Sequence, residues 1–299
     1  MKAGWGIPNN WGGENPNELI EIAVKAEALG FGSVWVREHL FHATYVAERL
    51  HDRPYYDALT ILIAIGAATK TVRLGTSVLV LPWHDPARLG KMISTLDQLS
   101  GGRVDFGIGV AVTEDEFENL GVDFKTRGKR TDDFLGALQA LWTQDIPEYS
   151  GEYYRYSGLR FAPKPLQKPY PPILVGGYSK AAFRRVARFG DGWHTMRQSP
   201  KQAAQGRAEI VRVTGEAGRD ASGLRYSITL PLDFSGEIAP DPSVGDRTIL
   251  RGDDDDMAET IRAYSDAGLD EIVVSVNTAD LAANMDAMAR FMDGVWRKL

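Results

Sequence analysis

The sequence predicts an α/β protein folded as a closed (β/α)8 TIM barrel. Eight short β-rich segments alternate with eight amphipathic helical segments within 299 residues. The strand segments are short and β-branched, which suits strands that a parallel sheet buries on both faces. The competing architecture is an open doubly wound sheet, but Gly4 and Gly6 are not followed by the third, helix-opening glycine of a GxGxxG turn. We therefore expect a single barrel domain over residues 1–299.

The predicted strands are apolar runs rich in β-branched residues that end at glycine, proline or polar turns. In chain order they cover residues 2–7, 33–37, 72–81, 104–109, 173–175, 192–194, 225–230 and 271–276. Pro82 ends the third run, because proline cannot donate a ladder hydrogen bond.

The predicted helices carry apolar residues at helical spacing. They cover residues 19–29, 58–68, 86–99, 130–142, 180–189, 200–217, 257–267 and 281–296. Gly30 and Gly268 follow two of them where a C-cap favours a left-handed residue, and Pro86 suits a first helical turn.

Two irregular segments interrupt the alternation as insertions, one after helix four and one after strand seven. Residues 143–172 are rich in proline and tyrosine, with a possible hairpin around residues 153–156, and residues 233–252 precede the seventh helix. Long connections of this kind are usually lids or functional insertions. We expect the substrate preference to depend on them.

The composition excludes several classes of protein. The chain has 34 Lys+Arg against 40 Asp+Glu, a net charge of −6 and no cysteine. Disulfides, thiolate metal sites and cysteine nucleophiles are therefore impossible, and nothing in the overall charge favours a nucleic acid or a membrane as partner. No apolar run approaches the roughly twenty residues of a transmembrane helix, and no signal peptide precedes the first strand. We expect a cytoplasmic protein.

Catalytic motifs of other classes are missing from the sequence. There is no HxH or HExxH ligand spacing, no GxSxG elbow and no P-loop. The four acidic residues 253–256 suit a helix start better than a calcium loop. We expect no metal site, and hydrolase or kinase activity has no positive support.

In a barrel, reactive groups lie at the C-terminal ends of the strands. There, Gly176-Gly177-Tyr178-Ser179-Lys180 leads directly into a helix. Two glycines allow close backbone approach and the helix start offers free N–H groups, so the segment suits a phosphate group. A tight turn capped by Ser179 explains it equally well.

A second candidate lies after the second strand. Glu38 and His39 follow it directly. Since the pKa of histidine is near neutrality, His39 could transfer a proton to or from a substrate, although a structural hydrogen-bonding role is the alternative. Gly109 ends the fourth strand, and four further histidines are weaker candidates: His42, His51, His84 and His194.

The order of several longer motifs resembles that of the bacterial luciferase-like monooxygenase superfamily. The motifs are AEALGF at 26–31, SVWV at 33–36, RLGTSVLVLP at 73–82, TLDQLSGGR at 95–103, PPILVGG at 171–177 and GDGW at 190–193. Taken together, these motifs are most similar to those of the branch that uses coenzyme F420. The resemblance implies a barrel with an insertion, commonly dimeric, that binds FMN or coenzyme F420 at its C-terminal face.

The resemblance also implies roles for individual residues. Glu38 and His39 match an acidic residue–histidine pair beside the reactive ring, with Glu where Asp is usual. Ser77 and Val78 match a nonprolyl cis peptide that backs the ring. Gly176, Gly177 and Ser179 match the phosphate-binding turn. We add Gly109, at the end of the fourth strand, and the charge of Lys180 to the expected cofactor site.

One departure concerns the acid that some members carry shortly after the fourth strand. Residues 110–112 are Val-Ala-Val here, and Glu114 comes later. The sugar-phosphate dehydrogenase chemistry of those members is therefore in doubt for this chain.

We expect an oxidoreductase that transfers a hydride between coenzyme F420 and a small organic substrate, as a homodimer. Three alternatives stay open: an FMN-dependent monooxygenase that uses reduced flavin and O2, a non-catalytic cofactor carrier, and a metal-dependent barrel hydrolase.

Overall fold

A computed structural model describes residues 1–43, 45–238 and 248–299. Eight parallel strands close into a barrel: β1 (Lys2–Gly6), β2 (Ser33–Val36), β3 (Arg73–Thr76), β5 (Val104–Gly109), β8 (Ile173–Gly176), β9 (Gly192–Met196), β10 (Arg225–Asp233) and β12 (Glu271–Ser275). β1 pairs with β12, and β10 pairs with both β12 and β9, so the sheet has no open edge in this ring. The predicted (β/α)8 barrel is confirmed, and the open doubly wound sheet is excluded.

In the part of the chain that the structure describes, four further strands have two residues each: β4 (Leu79–Val80), β6 (Tyr149–Ser150), β7 (Arg155–Tyr156) and β11 (Leu250–Arg251). β4 adds to β5 and β11 adds to β10, both in parallel. β6 and β7 form an antiparallel hairpin, as predicted for the region around residues 153–156.

The described residues contain ten α-helices: α1 (Pro16–Ala28), α2 (Tyr45–Leu50), α3 (Ala58–Ala68), α4 (Pro86–Ser100), α5 (Glu114–Asn119), α6 (Arg127–Thr143), α7 (Lys180–Phe189), α8 (Pro200–Glu216), α9 (Asp254–Asp266) and α10 (Leu281–Arg290). Gly30 and Gly268 take φ values of +90° and +83°, as their predicted positions after helices require. The short helices α2 and α5 were not predicted, because six residues give too little periodicity to recognise.

Several predicted elements are shifted by a few residues at their ends, and two differ from the structure in kind. The strand predicted over 72–81 is interrupted by a cis peptide bond between Ser77 and Val78, which separates β3 from β4. The helix predicted over 281–296 is α-helical only to Arg290 and continues as a π turn, Phe291–Val295. In the predicted irregular segment 233–252, Asp233 belongs to β10, Leu250–Arg251 form β11, and residues 239–247 lie outside the described residues.

An ion-pair cluster closes the N-terminal end of the barrel. Asp105 accepts paired hydrogen bonds of 2.7 Å from Arg73 and of 2.7 and 3.1 Å from Arg225. Burial opposes ionisation of Asp105, but these hydrogen bonds hold its pKa below the usual value. Above this layer the rings of Trp35 and His194 stack across the interior at 4.3 Å, with 3° between their planes. Access to the barrel interior is therefore from the C-terminal end.

The insertion after α6 is anchored to that helix by one carboxylate. Asp133 Oδ1 accepts the Tyr149 hydroxyl at 2.6 Å, and Oδ2 accepts the backbone N–H groups of Tyr153 and Tyr154 at 2.6 and 3.1 Å. In the parts of the chain that the structure describes, none of the helices combines the length and the apolar character needed to cross a membrane.

Candidate active site

The cis peptide between Ser77 and Val78 lies at the C-terminal end of the barrel, against two glycines. A Cβ atom on Gly109 would lie 2.5 Å from Val78 Cγ2, and one on Gly176 would lie 3.0 Å from Val78 Cγ1. Only glycine at 109 leaves room for the valine side chain. The structure thus brings Val78, Gly109 and Gly176, three of the predicted cofactor-binding residues, together on neighbouring strand ends.

A buried histidine supports this bulge from inside the barrel. His194 Nε2 lies 2.8 Å from Ser77 Oγ, and Nδ1 lies 2.8 Å from Ser227 Oγ. Burial, together with the positive charge of Arg37, lowers the pKa of His194 to about 3. His194 is therefore neutral near pH 7, and its place in the sequence gave only a weak signal for this supporting role.

The turn that joins β8 to α7 has the geometry of a close-approach loop. Gly177 has φ +94°, and its carbonyl accepts the Trp193 indole N–H at 2.6 Å. Ser179 caps α7 by accepting the Ala182 N–H at 3.2 Å, and Lys180 is the first residue of the helix. The remaining N–H groups of a first helical turn have no partner within the helix, so they can bind an anion at this position.

His39 is held on both of its ring nitrogens. Nδ1 lies 2.7 Å from Glu116 Oε2, and Nε2 lies 2.7 Å from the hydroxyl of Tyr45. Tyr55 and Trp83 pack against the imidazole, with ring centroids 5.7 and 6.1 Å away. An ionised carboxylate can only accept, so Nδ1 carries the proton of this pair and Nε2 accepts from Tyr45 when the ring is neutral.

The carboxylate of Glu116 is the functional group that the sequence analysis missed. The side chain is fully buried, and it also accepts N–H groups of Leu40 and Phe41 at 3.0 and 3.2 Å and the Thr113 hydroxyl at 2.8 Å. Burial alone would raise the pKa of Glu116, but the hydrogen bond and charge of His39, with the other donors, lower it. The Thr113-x-x-Glu116 spacing resembles a capping box, which was the available signal.

Glu116 also bears on the acid that some family members carry shortly after the fourth predicted strand, which is β5 in the structure. Residues 110–112 carry no acid, and Ala111 has φ +55°. The chain then turns into α5, which returns a carboxylate to the β2 end. An acid does reach the site, from a position later than Glu114.

Glu38 lies beside the same site but both of its oxygens are in use. Oε2 accepts the Val80 N–H at 2.7 Å, and Oε1 lies 2.9 Å from His84 Nε2. Although burial opposes it, the hydrogen bond and charge of Glu38 raise the pKa of His84 above its usual value. Glu38 therefore joins the end of β2 to the segment that follows the cis peptide by hydrogen bonds.

A cavity of about 360 Å³ opens on the rim between the loops after β1 and β12. Trp11, Arg49 and Arg53 line it on one side, and Asn277, Thr278 and Asp280 on the other. It lies beside the strand-end site rather than over the Gly176-Gly177 turn. Among the described residues no cluster of three or more His, Asp or Glu side chains has the geometry of a metal site.

The site has features that a flat, phosphorylated cofactor needs. Glycines at 109 and 176 bring the backbone close to the cis peptide, and a helix start with a capping serine follows Gly177. Such a group would be held by the residues at these strand ends: Ser77, Val78, Gly109, Gly176, Gly177, Ser179 and Lys180. The residues present fit it.

Comparisons with known proteins identify the family of the chain. The profile of the luciferase-like monooxygenase family matches residues 1–235. A 29% identical relative, covering 87% of this chain and 88% of its own, is the F420-dependent glucose-6-phosphate dehydrogenase of Segniliparus rotundus. Another, 30% identical over 67% of this chain and 54% of its own length, is the FMNH2-dependent dimethylsulfone monooxygenase of Pseudomonas putida. An F420-dependent secondary alcohol dehydrogenase solved with an F420–acetone adduct superposes with a TM-score of 0.83 at 18% identity, over 99% of this chain and 98% of that one.

The protein belongs to the luciferase-like monooxygenase family. Members of this family are oxidoreductases and monooxygenases, and the relatives include both F420-dependent and FMN-dependent enzymes.

Proposed function

We propose that the protein is an F420-dependent oxidoreductase that transfers a hydride between the deazaflavin coenzyme and a small organic substrate. The observation that carries the proposal is the His39–Glu116 pair at the barrel end that also holds the glycine-lined cis peptide. The F420-dependent dehydrogenase that matches over 88% of its own length supports this choice of coenzyme. We also propose that the protein works in the cytoplasm as a homodimer.

The protein's own residues supply proton transfer and positioning. When bound, the coenzyme supplies or accepts the hydride. Glu116 accepts the Nδ1–H of His39 and so leaves Nε2 to take or give a proton. Tyr45, which is 45% exposed and bonded to Nε2, connects that nitrogen with the open end of the barrel. A proton therefore moves between substrate and His39 at Nε2, directly or through the Tyr45 hydroxyl.

The FMN-dependent monooxygenase of Pseudomonas putida supports a second candidate, in which reduced flavin and O2 oxygenate the substrate at the same site. The carrier alternative depended on a missing acid after strand four. The buried Glu116 beside His39 now argues against it, because a carrier has no need of an ionised carboxylate on a histidine.

The test is a titration of the purified protein with coenzyme F420 and with FMN. Binding is monitored by the quenching of tryptophan fluorescence. We expect saturation by F420 at lower concentration. Saturation by FMN alone would move the assignment to the monooxygenase, and binding of neither would refute a redox role. His39→Ala should then lower turnover by about 10² or more.

A matched pair of serine variants tests the phosphate turn. Ser179 and Ser199 both cap helices by accepting an N–H three residues on, at 3.2 and 3.3 Å. We expect Ser179→Ala to weaken F420 binding about tenfold while Ser199→Ala leaves it unchanged. Equal affinity of the two variants for F420, or equal loss with the phosphate-free deazaflavin riboside, would place the phosphate elsewhere.

A further inference from the structure

Arg37 is a cation at the C-terminal end of the barrel whose guanidinium is only partly used. It directly follows β2, and its Nη2 donates to Ser275 Oγ at 3.1 Å. Its Nη1 is buried and has no hydrogen-bond partner. A Cβ atom on Gly6 would lie 3.3 Å from both terminal nitrogens, so the guanidinium lies at the end of β1 as well. Arg37 therefore carries a buried N–H donor without a partner at the C-terminal ends of β1 and β2.

No carboxylate of the described segments 1–43, 45–238 and 248–299 forms an ion pair with Arg37. The adjacent Glu38 directs its two oxygens to Val80 and His84. Burial, and the charges of Arg197 and Arg49, lower the pKa of Arg37 to about 10. A charge in such surroundings is costly unless an anion joins it, since burial disfavours an unpaired ion.

The backbone at Arg37 is anchored independently of the guanidinium. Asn9 Oδ1 accepts the Arg37 N–H at 3.0 Å, and Asn9 Nδ2 donates to the Arg37 carbonyl at 2.7 Å. The strand end is therefore fixed by an asparagine, and fixing it does not require an arginine side chain. This separation makes a purely structural role a poor explanation of the guanidinium.

Two tyrosines that contact His39, Tyr45 and Tyr55, also interact electrostatically with Arg37. Tyr55 packs edge-on against the His39 imidazole. Burial raises the pKa of Tyr55 strongly, and the positive charge of Arg37 opposes that rise. Tyr45 bonds His39 Nε2 and lies in the field of Arg37 and Arg49. Tyr45 and Tyr55 therefore connect the surroundings of Arg37 with those of His39.

We propose that Arg37 is a specificity-determining residue that binds a carboxylate, or a similar planar oxyanion, of the substrate. This inference rests on the proposed function of the same site and names its substrate class. A guanidinium offers parallel N–H donors that match a carboxylate, and Nη1 supplies the unused one. The substrate would then be an organic acid whose reacting carbon lies toward His39.

The test compares benzoate with benzamide, which have nearly the same shape and differ in charge. Each is titrated into the cofactor-free protein at constant ionic strength, and binding is followed by thermal unfolding and tryptophan fluorescence. We expect benzoate to bind at least tenfold more tightly than benzamide. Equal binding of the two, or binding of neither, would overturn the proposal without any variant being made.

Two variants assign the preference to Arg37. In Arg37→Gln we expect the benzoate preference to fall to less than twofold, while Arg37→Lys keeps part of it. Arg53→Gln is the matched control, because it removes a positive charge from the same end of the barrel, where its donors reach the backbone carbonyls of Leu50 and Arg49. A preference that survives in Arg37→Gln, or disappears equally in Arg53→Gln, would refute the assignment.

A separate arm distinguishes the substrate from the reduced coenzyme, whose ring also carries negative charge. The affinity for oxidised and reduced F420 is measured in the wild type and in Arg37→Gln. Loss confined to the reduced coenzyme, with benzoate binding unchanged, would overturn the substrate assignment. If no F420 binds at all, the proposed function fails, while the benzoate result still decides the role of Arg37.

Discussion

The Nδ1 atom of His39 lies 2.7 Å from Oε2 of Glu116, and this contact joins the loop after β2 to the helix after β5. The two residues are 77 positions apart in the sequence. Their pairing decides which nitrogen of His39 is available to a substrate, because the carboxylate retains the proton on Nδ1.

Replacing Glu116 by Gln should therefore lower turnover by about 10² with little change in coenzyme affinity. The amide can donate to Nδ1 and so favour the wrong tautomer. The measurement is steady-state turnover beside coenzyme titration. In a His39→Ala background, Glu116→Gln should have no further effect on turnover, and an additive loss would show that Glu116 acts independently of His39.

Gly109→Ala should weaken coenzyme binding at least tenfold, because its Cβ would lie 2.5 Å from Val78 Cγ2 and displace the bulge. Shortening the neighbour in Gly109→Ala/Val78→Ala should restore part of the affinity. Gly215→Ala is the control, since no atom lies within 4 Å of a Cβ added there. If the double variant recovers no affinity for the coenzyme, the clash with Val78 is not the cause of the weaker binding.

Asp105→Asn should destabilise the protein by about 3 to 5 kcal/mol, because it leaves Arg73 and Arg225 without their buried carboxylate. Urea unfolding measures the change. Glu209→Gln breaks the exposed pair with Arg212 on α8 and should have little effect. If the two substitutions change the free energy of unfolding by similar amounts, the buried ion pairs of Asp105 stabilise the protein no more than an exposed pair does.

Glu27 predicts a pH dependence of stability. Although burial opposes it, backbone N–H groups of Thr71, Val72 and Lys70 lower the pKa of Glu27 to about 2. A lowered carboxyl pKa stabilises the fold above the unfolded value of 4.5 and ceases to do so as the pH falls through 2.

At pH 7, Glu27→Gln should therefore cost about 1 kcal/mol, a figure reduced for the solvent around this partly exposed group. The difference from the wild type should shrink as urea unfolding is repeated between pH 4.5 and pH 2. Glu18→Gln on the same helix provides the control. A difference that stays constant over this range would exclude the carboxylate as its source.

The barrel itself was predictable because each strand carries its own local signal. Residues 104–109 and 180–189 form the predicted strand and helix without a shift at either end. The same local rule fails at Ser77-Val78, where the sequence continues as an apolar strand. Contacts with Gly109 and Gly176 accompany the interruption there, and those residues are distant in sequence.

The site was predictable in its strand-end positions and not in its pairings. His39 and Gly176-Gly177 follow strands, so the barrel rule selects them. Glu116 reaches His39 only because α5 folds back toward the end of β2, which no spacing in the chain reveals. Arg37 reads in the sequence as the last residue of a strand, and its unused Nη1 becomes visible only when its neighbours are in place.

Among the described residues, the cluster of Arg73, Asp105 and Arg225 closes one end of the barrel and leaves the C-terminal rim as the entrance. A ligand that enters through the rim cannot leave by the opposite end, so a second ligand bound above the first blocks its departure. For the proposed coenzyme and substrate we therefore expect ordered steady-state kinetics, in which the compound that binds deeper in the barrel adds first and leaves last.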